Sequence, residues 1–128
     1  MMLAQAPKLP PALERIAATP LLASERPAGF PHVKITRLGP NKRAHTLGIV
    51  RFDFSNQHTS ESAGFALLKT HAAATRFARQ AATINVGGAF HTKAVATRRF
   101  AVAVTARTAA KARTLLALAL AHLRRSEH

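Results

Sequence analysis

The sequence predicts an α+β domain, built on one small mixed sheet with packed helices and preceded by an extended N-terminal arm. Three observations support this prediction. All seven prolines lie within the first 40 residues, and proline breaks both helices and central strands. After residue 41 the apolar residues recur at strand or helix spacing. These segments follow one another as strand, helix, strand, strand and helix, an order typical of helices packed on a single sheet.

The proline boundary divides the chain into an arm over residues 1–40 and a domain over residues 41–128. Within the arm, residues 13–18 have the spacing for one short helical turn. Residues 1–29 are poor in acids and loosely resemble a cleaved mitochondrial presequence, but Glu14, Glu25 and the prolines interrupt the amphipathic helix that a presequence needs. The favoured interpretation is an extended arm that becomes ordered on a partner.

The domain is expected to open with a strand and a helix. Residues 46–54 place their large apolar side chains on one face and predict the first strand. Residues 55–59 are polar and turn-like. Residues 60–82 carry apolar side chains at helical spacing, so a helix capped by Thr59 or Ser60 is predicted there.

The second half of the domain adds two strands and a helix. Residues 83–90 predict the second strand, and residues 91–97 a polar connection. Residues 99–107 alternate strictly and predict the third strand. Thr108 is the expected N-cap of a final helix that runs to Arg125, whose charge complements the helix dipole.

The expected pairing of these strands is mixed. The first strand–helix–strand unit predicts a right-handed crossover between parallel strands. The region of residues 95–104 is expected to pair as an antiparallel hairpin.

Charge is the dominant feature of the composition. The 128 residues hold 19 Lys and Arg against 5 Asp and Glu, a net charge of +14. Self-repulsion on this scale favours a polyanionic partner, and nucleic acid is the commonest. The local density is highest in residues 31–47, 83–107 and 108–128. The residues expected to contact phosphates are Lys34, Arg37, Lys42, Arg43, Lys93, Arg98, Arg99, Arg107, Lys111, Arg113, Arg124 and Arg125.

The spread of the charge favours RNA over DNA. A DNA-reading protein usually concentrates its basic residues on one recognition helix or stripe. Here the arm and several edges of the domain are basic, which suits a protein surrounded by RNA that it contacts on more than one side.

Other functions find little support in the sequence. There is no cysteine, and the seven histidines lack the spacing of a zinc site, so no metal site is expected. The five carboxylates form no paired set and no phosphate-loop motif is present, so neither catalytic residues nor a cofactor are expected. No apolar run reaches the roughly 18 residues of a membrane span.

Part of the domain resembles a known family. Residues 48–56, followed by residues 60–70 with Phe65, Leu67 and Leu68 near their centre, resemble the start of the mitochondrion-specific large-subunit ribosomal protein numbered fifty-three. A later strand and helix resemble the closing elements of that family; they are residues 100–104 and 109–125, the helix ending in Ala121-His122-Leu123-Arg124.

The resemblance covers about residues 46–125. It implies a thioredoxin-like fold with no catalytic role, packed against ribosomal RNA and neighbouring proteins. Family members often carry a cysteine just after the first strand, where this chain has Ser55, and the proline-bearing arm has no clear counterpart.

The resulting hypothesis is a structural component of the mitochondrial large ribosomal subunit, located in the matrix, which binds ribosomal RNA and neighbouring ribosomal proteins and is not an enzyme. One alternative is an independent DNA-associated or phage-type basic protein. Another is a small enzyme or ligand-binding domain of thioredoxin-like shape. The last third of the chain also faintly resembles the end of a double-stranded-RNA-binding domain, although the third strand of that fold is not evident in the sequence.

Overall fold

The computed structural model describes residues 8–83 and 89–127. Its helices and strands are α1 (Pro11–Ala18), β1 (His32–Leu38), β2 (Thr46–Ser55), β3 (Ser60–Leu68), α2 (His71–Ala82), β4 (His91–Thr97), β5 (Phe100–Ala106) and α3 (Ala109–Ser126). A short 3-10 turn, Ala23–Glu25, follows α1. The five strands form one antiparallel sheet in the order β1-β2-β3-β5-β4, which makes this a mixed α+β fold.

The larger core lies on the face of the sheet that α1 and α3 cover. Every second residue of β2 points into it, because side chains alternate along a strand. The ring of Phe52 lies edge-on to Phe65 at a centroid distance of 5.8 Å and to the imidazole of His122 at 5.3 Å. Leu13 and Ile16 of α1 are fully buried in the same core.

The opposite face carries α2 and a smaller core. Ala74 and Ala78 of α2 pack there against Ala66 and Leu68 of β3, and against Ala101 of β5. Small side chains bring the helix close to the sheet, so this layer has little large apolar area. None of the described helices is long and apolar enough to cross a membrane.

The prediction of a helix from residue 60 is wrong for residues 60–68, which form the central strand β3. β3 pairs with β2 on one side and β5 on the other. Towards the end of β3 both faces of the strand are covered. A strand that is buried on both faces has a continuous run of apolar residues, and such a run also satisfies the spacing expected of a helix. Only residues 71–82 are helical, because Thr70 supplies the cap by accepting a hydrogen bond from Ala73 N at 3.0 Å.

The polar connection predicted for residues 91–97 is also wrong, because these residues form the edge strand β4. The strand predicted for residues 83–90 falls largely on residues outside the described ones, and Ala89 and Phe90 are not in a strand. The expected parallel crossover is replaced by antiparallel pairing, since a short turn joins β2 directly to β3. The antiparallel hairpin, the strand β5 and the helix α3 are confirmed.

The extended N-terminal arm is not confirmed over residues 8–40. These residues contain α1, the 3-10 turn and β1, and β1 pairs along its whole length with β2 across the predicted boundary. The prolines mark the ends of these elements: Pro11 occupies the first turn of α1, where no backbone donor is needed. Pro31 and Pro40 flank β1. The strand order of the sheet, β1-β2-β3-β5-β4, also differs from the thioredoxin-like order that the resemblance implies.

Candidate nucleic-acid interface

The register of the sheet gathers basic residues at one end. At this end of the sheet β1 and β3 finish, β2 begins, and the turn between β4 and β5 is located. The pairing shows this, because Thr46 at the start of β2 pairs with Leu68 at the end of β3, and Phe100 at the start of β5 pairs with both Leu67 and Thr97. The loop between β1 and β2 and the start of α2 lie there too. We call the cations of these segments the basic end; they are Lys42, Arg43, Lys69, Arg76, Arg98 and Arg99.

The loop between β1 and β2 has a defined shape. Asn41 and Thr46 exchange backbone hydrogen bonds of 3.0 and 3.1 Å, which close the loop. The Asn41 Oδ1 accepts from the backbone N–H groups of Arg43 and Ala44 at 3.0 and 3.2 Å, an Asx-type turn. His45 adopts a left-handed conformation with φ of 58°. The loop therefore holds its basic side chains on a fixed backbone.

A cleft of about 570 Å³ opens between this loop and the first turns of α2. We call it the basic cleft; its lining residues are Pro40, Asn41, Lys42, His45, Thr46, Leu47, Lys69, Thr70, Ala73 and Arg76. The lining contains three lysine or arginine side chains and no carboxylate. Such a concentration of one sign of charge beside a low-dielectric wall attracts anions.

The α2 wall of the cleft follows from helical spacing. Thr70, Ala73 and Arg76 recur every three residues and so lie on one face of α2. A smaller recess of about 70 Å³ continues along the same face, where Phe77 and Gln80 are added to the lining. The recess and the cleft share His45, Ala73 and Arg76, so they adjoin each other.

The β4–β5 turn presents Arg98 and Arg99 at the same end. Arg98 has a φ of 54°, an uncommon conformation for a residue with a side chain. The turn is held in place because His71 Nδ1 donates to the Arg98 carbonyl at 2.6 Å and Arg98 forms an ion pair with Glu127. Arg99 Nε donates to the Leu68 carbonyl at 3.1 Å, so part of its guanidinium serves the fold.

The carboxylates of the protein are almost all occupied elsewhere. Four of the five form ion pairs with an arginine; the pairs are Glu14 with Arg37, Asp53 with Arg51, Glu25 with Arg125 and Glu127 with Arg98. Among the described residues, five of the six cations of the basic end have no carboxylate within 4.0 Å, and Arg98 is the exception. Their charge is therefore available to an external anion.

The other predicted contact residues lie outside the segments that define the basic end, and the last turn of α3 approaches that end because Glu127 pairs with Arg98. Lys34 and Arg37 are on the edge strand β1, and Lys93 is on the opposite edge strand β4. Arg107 follows β5 at the far end of the sheet and lies 5.6 Å from the centre of the Phe90 ring. The remaining four are on α3, two in its first turns and two in its last; they are Lys111, Arg113, Arg124 and Arg125.

Three residues of the cleft were missed by the sequence interpretation: His45, Lys69 and Arg76. The two cations fall in the segment interpreted as one long helix, outside the three basic stretches. The sequence does contain one indication that Lys69 and Arg76 are available to bind an anion. No Asp or Glu that could pair with them occurs between Glu61 and Glu127. Their meeting with Lys42 depends on strand register and could not be seen in the spacing.

A buried ionic network fixes the N-terminal segment to α3. Arg125 donates to both carboxylate oxygens of Glu25, at 2.6 and 2.8 Å. His122 is buried; its Nδ1 lies 2.8 Å from Glu25 and its Nε2 lies 3.0 Å from the Ile16 carbonyl. Both ring nitrogens of His122 therefore face oxygen atoms of the N-terminal segment. The hydrogen bonds from Arg125 and His122 outweigh the cost of burial and lower the pKa of Glu25 from 4.5 to about 2.

Glu61 is the exception among the carboxylates. It is buried, it forms no ion pair within the described part of the chain, and it lines a pocket of about 270 Å³ with Lys111. Burial raises the pKa of its carboxyl, and the charge of Lys111 opposes this only in part.

No family model, no curated protein and no solved structure matches this chain. In residues 8–83 and 89–127 no group of three or more metal-ligating side chains is present.

Proposed function

We propose that this protein is a structural RNA-binding component of a ribonucleoprotein assembly, the large subunit of the mitochondrial ribosome. The observation that carries the proposal is the basic end, where five cations without a carboxylate partner converge from three segments of the chain. Phosphate groups neutralise such charges and release counterions, which gives strong and salt-sensitive binding.

In this proposal the protein neutralises RNA phosphates and holds RNA segments in position, and it catalyses no reaction. The antiparallel sheet and its two cores hold the basic loops in register, and the network of Glu25, His122 and Arg125 holds the N-terminal segment to the domain. Cations on the edge strands and on α3 supply further contacts, among them Lys34, Lys93 and Arg113. A protein with several basic surfaces fits between RNA segments and neighbouring ribosomal proteins.

The resemblance to the mitochondrion-specific ribosomal family supports this proposal through the closing strand and helix. The thioredoxin-like strand order that the resemblance implies gives the proposal no support, because the sheet does not have that order. Ribosomal membership and the mitochondrial matrix as location are accordingly part of the proposal.

Binding of a fluorescent single-stranded RNA across a salt series tests the proposal. A double variant, Lys42→Gln with Lys69→Gln, removes two cations of the basic end. At about 0.7 counterions per phosphate contact, affinity near 0.1 M salt should fall about 25-fold and the salt slope should shrink by about 1.4. The control, Arg15→Gln with Arg79→Gln, changes the net charge equally at exposed sites on α1 and α2 that belong neither to the basic end nor to the predicted contact residues.

The control pair should lose much less affinity than the pair at the basic end. Equal losses in the two variants would show that net charge alone drives binding and that the basic end is not an interface. A wild-type protein that prefers duplex DNA to RNA would favour the DNA-associated alternative instead.

A further inference from the structure

We propose that the basic cleft binds an unpaired nucleotide of single-stranded RNA, with the phosphates at its cationic rim and the base in its interior. This inference rests on the proposed function and specifies which kind of RNA the site selects. It goes beyond phosphate neutralisation because a base inserted in a cleft must be unstacked from its neighbours.

The size and lining of the cleft fit this ligand. Its volume of about 570 Å³ lies within the range of small-molecule sites. The walls combine apolar surface from Pro40, Leu47 and Ala73 with the charged groups of Lys42 and Lys69. Apolar surface is of no use to a phosphate alone, whereas a nucleotide needs both an apolar wall and a cation.

Planar side chains line the recess that adjoins the cleft. His45 and Arg76 belong to both the cleft and its recess, and Phe77 lines the recess. Imidazole, guanidinium and phenyl groups are the surfaces on which proteins stack unpaired bases. Gln80 adds an amide that both donates and accepts, which suits the edge of a base.

A polar atom in the cleft wall lacks a partner. Thr46 lines the cleft and is 3 % exposed, and its Oγ1 makes no hydrogen bond among the described residues. A buried hydroxyl without a partner is destabilising, and such groups are uncommon in folded proteins. Thr46 therefore places an unpartnered hydroxyl just beneath the surface of the cleft wall.

The site also needs little rearrangement. The hydrogen bonds of Asn41 fix the loop on one side, and the N-cap of Thr70 fixes the start of α2 on the other. Preorganised walls reduce the entropy lost on binding. A duplex keeps its bases stacked and paired, so it reaches only the cationic rim.

Filling the cleft without changing its charge tests the inference. Ala73→Leu adds bulk to a half-buried position in the wall, and Ala72→Leu makes the same change at the exposed neighbouring position of α2. Binding of the full chain is measured in a salt series with single-stranded RNA of about 12 nucleotides, its duplex and the same single-stranded DNA. Thermal melting followed by circular dichroism checks that each variant folds.

Wild type and Ala72→Leu should bind the single-stranded RNA about 10-fold more tightly than the duplex, the gain typical of one stacked base. Ala73→Leu should lose this preference while its salt slope remains that of wild type. If Ala73→Leu keeps the preference, or wild type has none, the inference is wrong although RNA binding stands. Absence of salt-dependent RNA binding in wild type would instead refute the proposed function.

Two further measurements on the wild-type protein keep the inference testable if Ala73→Leu does not fold. Photocrosslinking with a 4-thiouridine strand should map to residues 40–47 or 69–80, and crosslinks found only elsewhere would overturn it. Inorganic phosphate should compete far less well than the RNA strand, because it cannot use the apolar walls. Equal competition would reduce the site to a phosphate site, and equal affinity for single-stranded DNA would remove the restriction to RNA.

Discussion

Replacing Leu13 by alanine tests whether α1 is part of the core rather than part of a detached arm. The side chain of Leu13 is fully buried, and it lies over β2 at Gly48. Truncation of a buried leucine costs about 2–5 kcal/mol, because transfer free energy and cavity formation add. We expect Leu13→Ala to fall in this range, since the neighbouring sheet cannot collapse into the space.

A second substitution makes the test specific to the contact. A Cβ atom on Gly48 would stand 2.8 Å from Leu13 Cδ1, 3.1 Å from Leu9 Cδ2 and 3.3 Å from the Leu38 carbonyl oxygen. Gly48→Ala alone should therefore cost about 1–3 kcal/mol by overpacking. In the Leu13→Ala background the closest of these atoms is gone, so the two substitutions should couple by about 1–2 kcal/mol.

Urea unfolding followed by circular dichroism gives the four free energies of this cycle. Additive effects of the two substitutions would contradict the packing of α1 on β2. A cost below about 0.5 kcal/mol for Leu13→Ala, the size of an ordinary surface substitution, would show that residues 11–18 do not belong to the domain core.

Three further predictions concern buried polar groups. Glu25→Gln should destabilise the protein by about 1–3 kcal/mol near neutral pH, because Arg125 and buried His122 lose their anion. Since the pKa of Glu25 falls from 4.5 to about 2 on folding, wild-type stability should decrease as pH drops through that interval, and the variant should lack this decrease. Glu61→Gln should be as stable as wild type or more stable at pH 7 in urea unfolding, because the raised pKa of Glu61 makes its ionised form unfavourable in the fold; a clear loss would indicate an ion pair. Thr46→Val should raise the free energy of unfolding by about 1 kcal/mol, as it removes a buried hydroxyl without a partner, and a loss of that size would show that the hydroxyl is satisfied.

The sequence predicted those elements whose two faces differ. β5 alternates between large and small side chains, and α3 begins directly after a threonine that caps it, with Thr108 accepting from Lys111 N at 3.1 Å. These signals are local, so they can be recognised in the sequence without knowledge of the tertiary structure. β3 has no such contrast towards its end, where residues 65–68 are buried on both faces. Its apolar run therefore fitted a helix as well as a strand.

The N-terminal segment was misinterpreted for a different physical reason. Prolines exclude the interior of helices and strands, but they favour the first turn of a helix and the ends of edge strands. Pro11 and Pro31 occupy such positions, so a proline-bearing stretch still contains α1 and β1. The deciding contacts of Ile16 and Glu25 with residue 122 join positions about a hundred residues apart, beyond the reach of local patterns.

The candidate site was only partly accessible to sequence reasoning. Lys42, Arg43, Arg98 and Arg99 stand in acid-poor stretches and were expected to contact phosphates. That they share one end with Lys69 follows from the antiparallel register of β2, β3 and β5, which composition does not determine. The same register forms the basic cleft, so its apolar wall had no sequence signature.

Sedimentation of the tagged full-length protein with ribosome-sized particles, across a salt series and with or without ribonuclease, tests the central claim most directly. The account predicts that the protein travels with the large-subunit fraction through moderate salt and that ribonuclease or high salt releases it, because phosphate contacts hold it there. A protein that sediments as a free species even at low salt, or stays with a particle after its RNA is digested, would contradict the account.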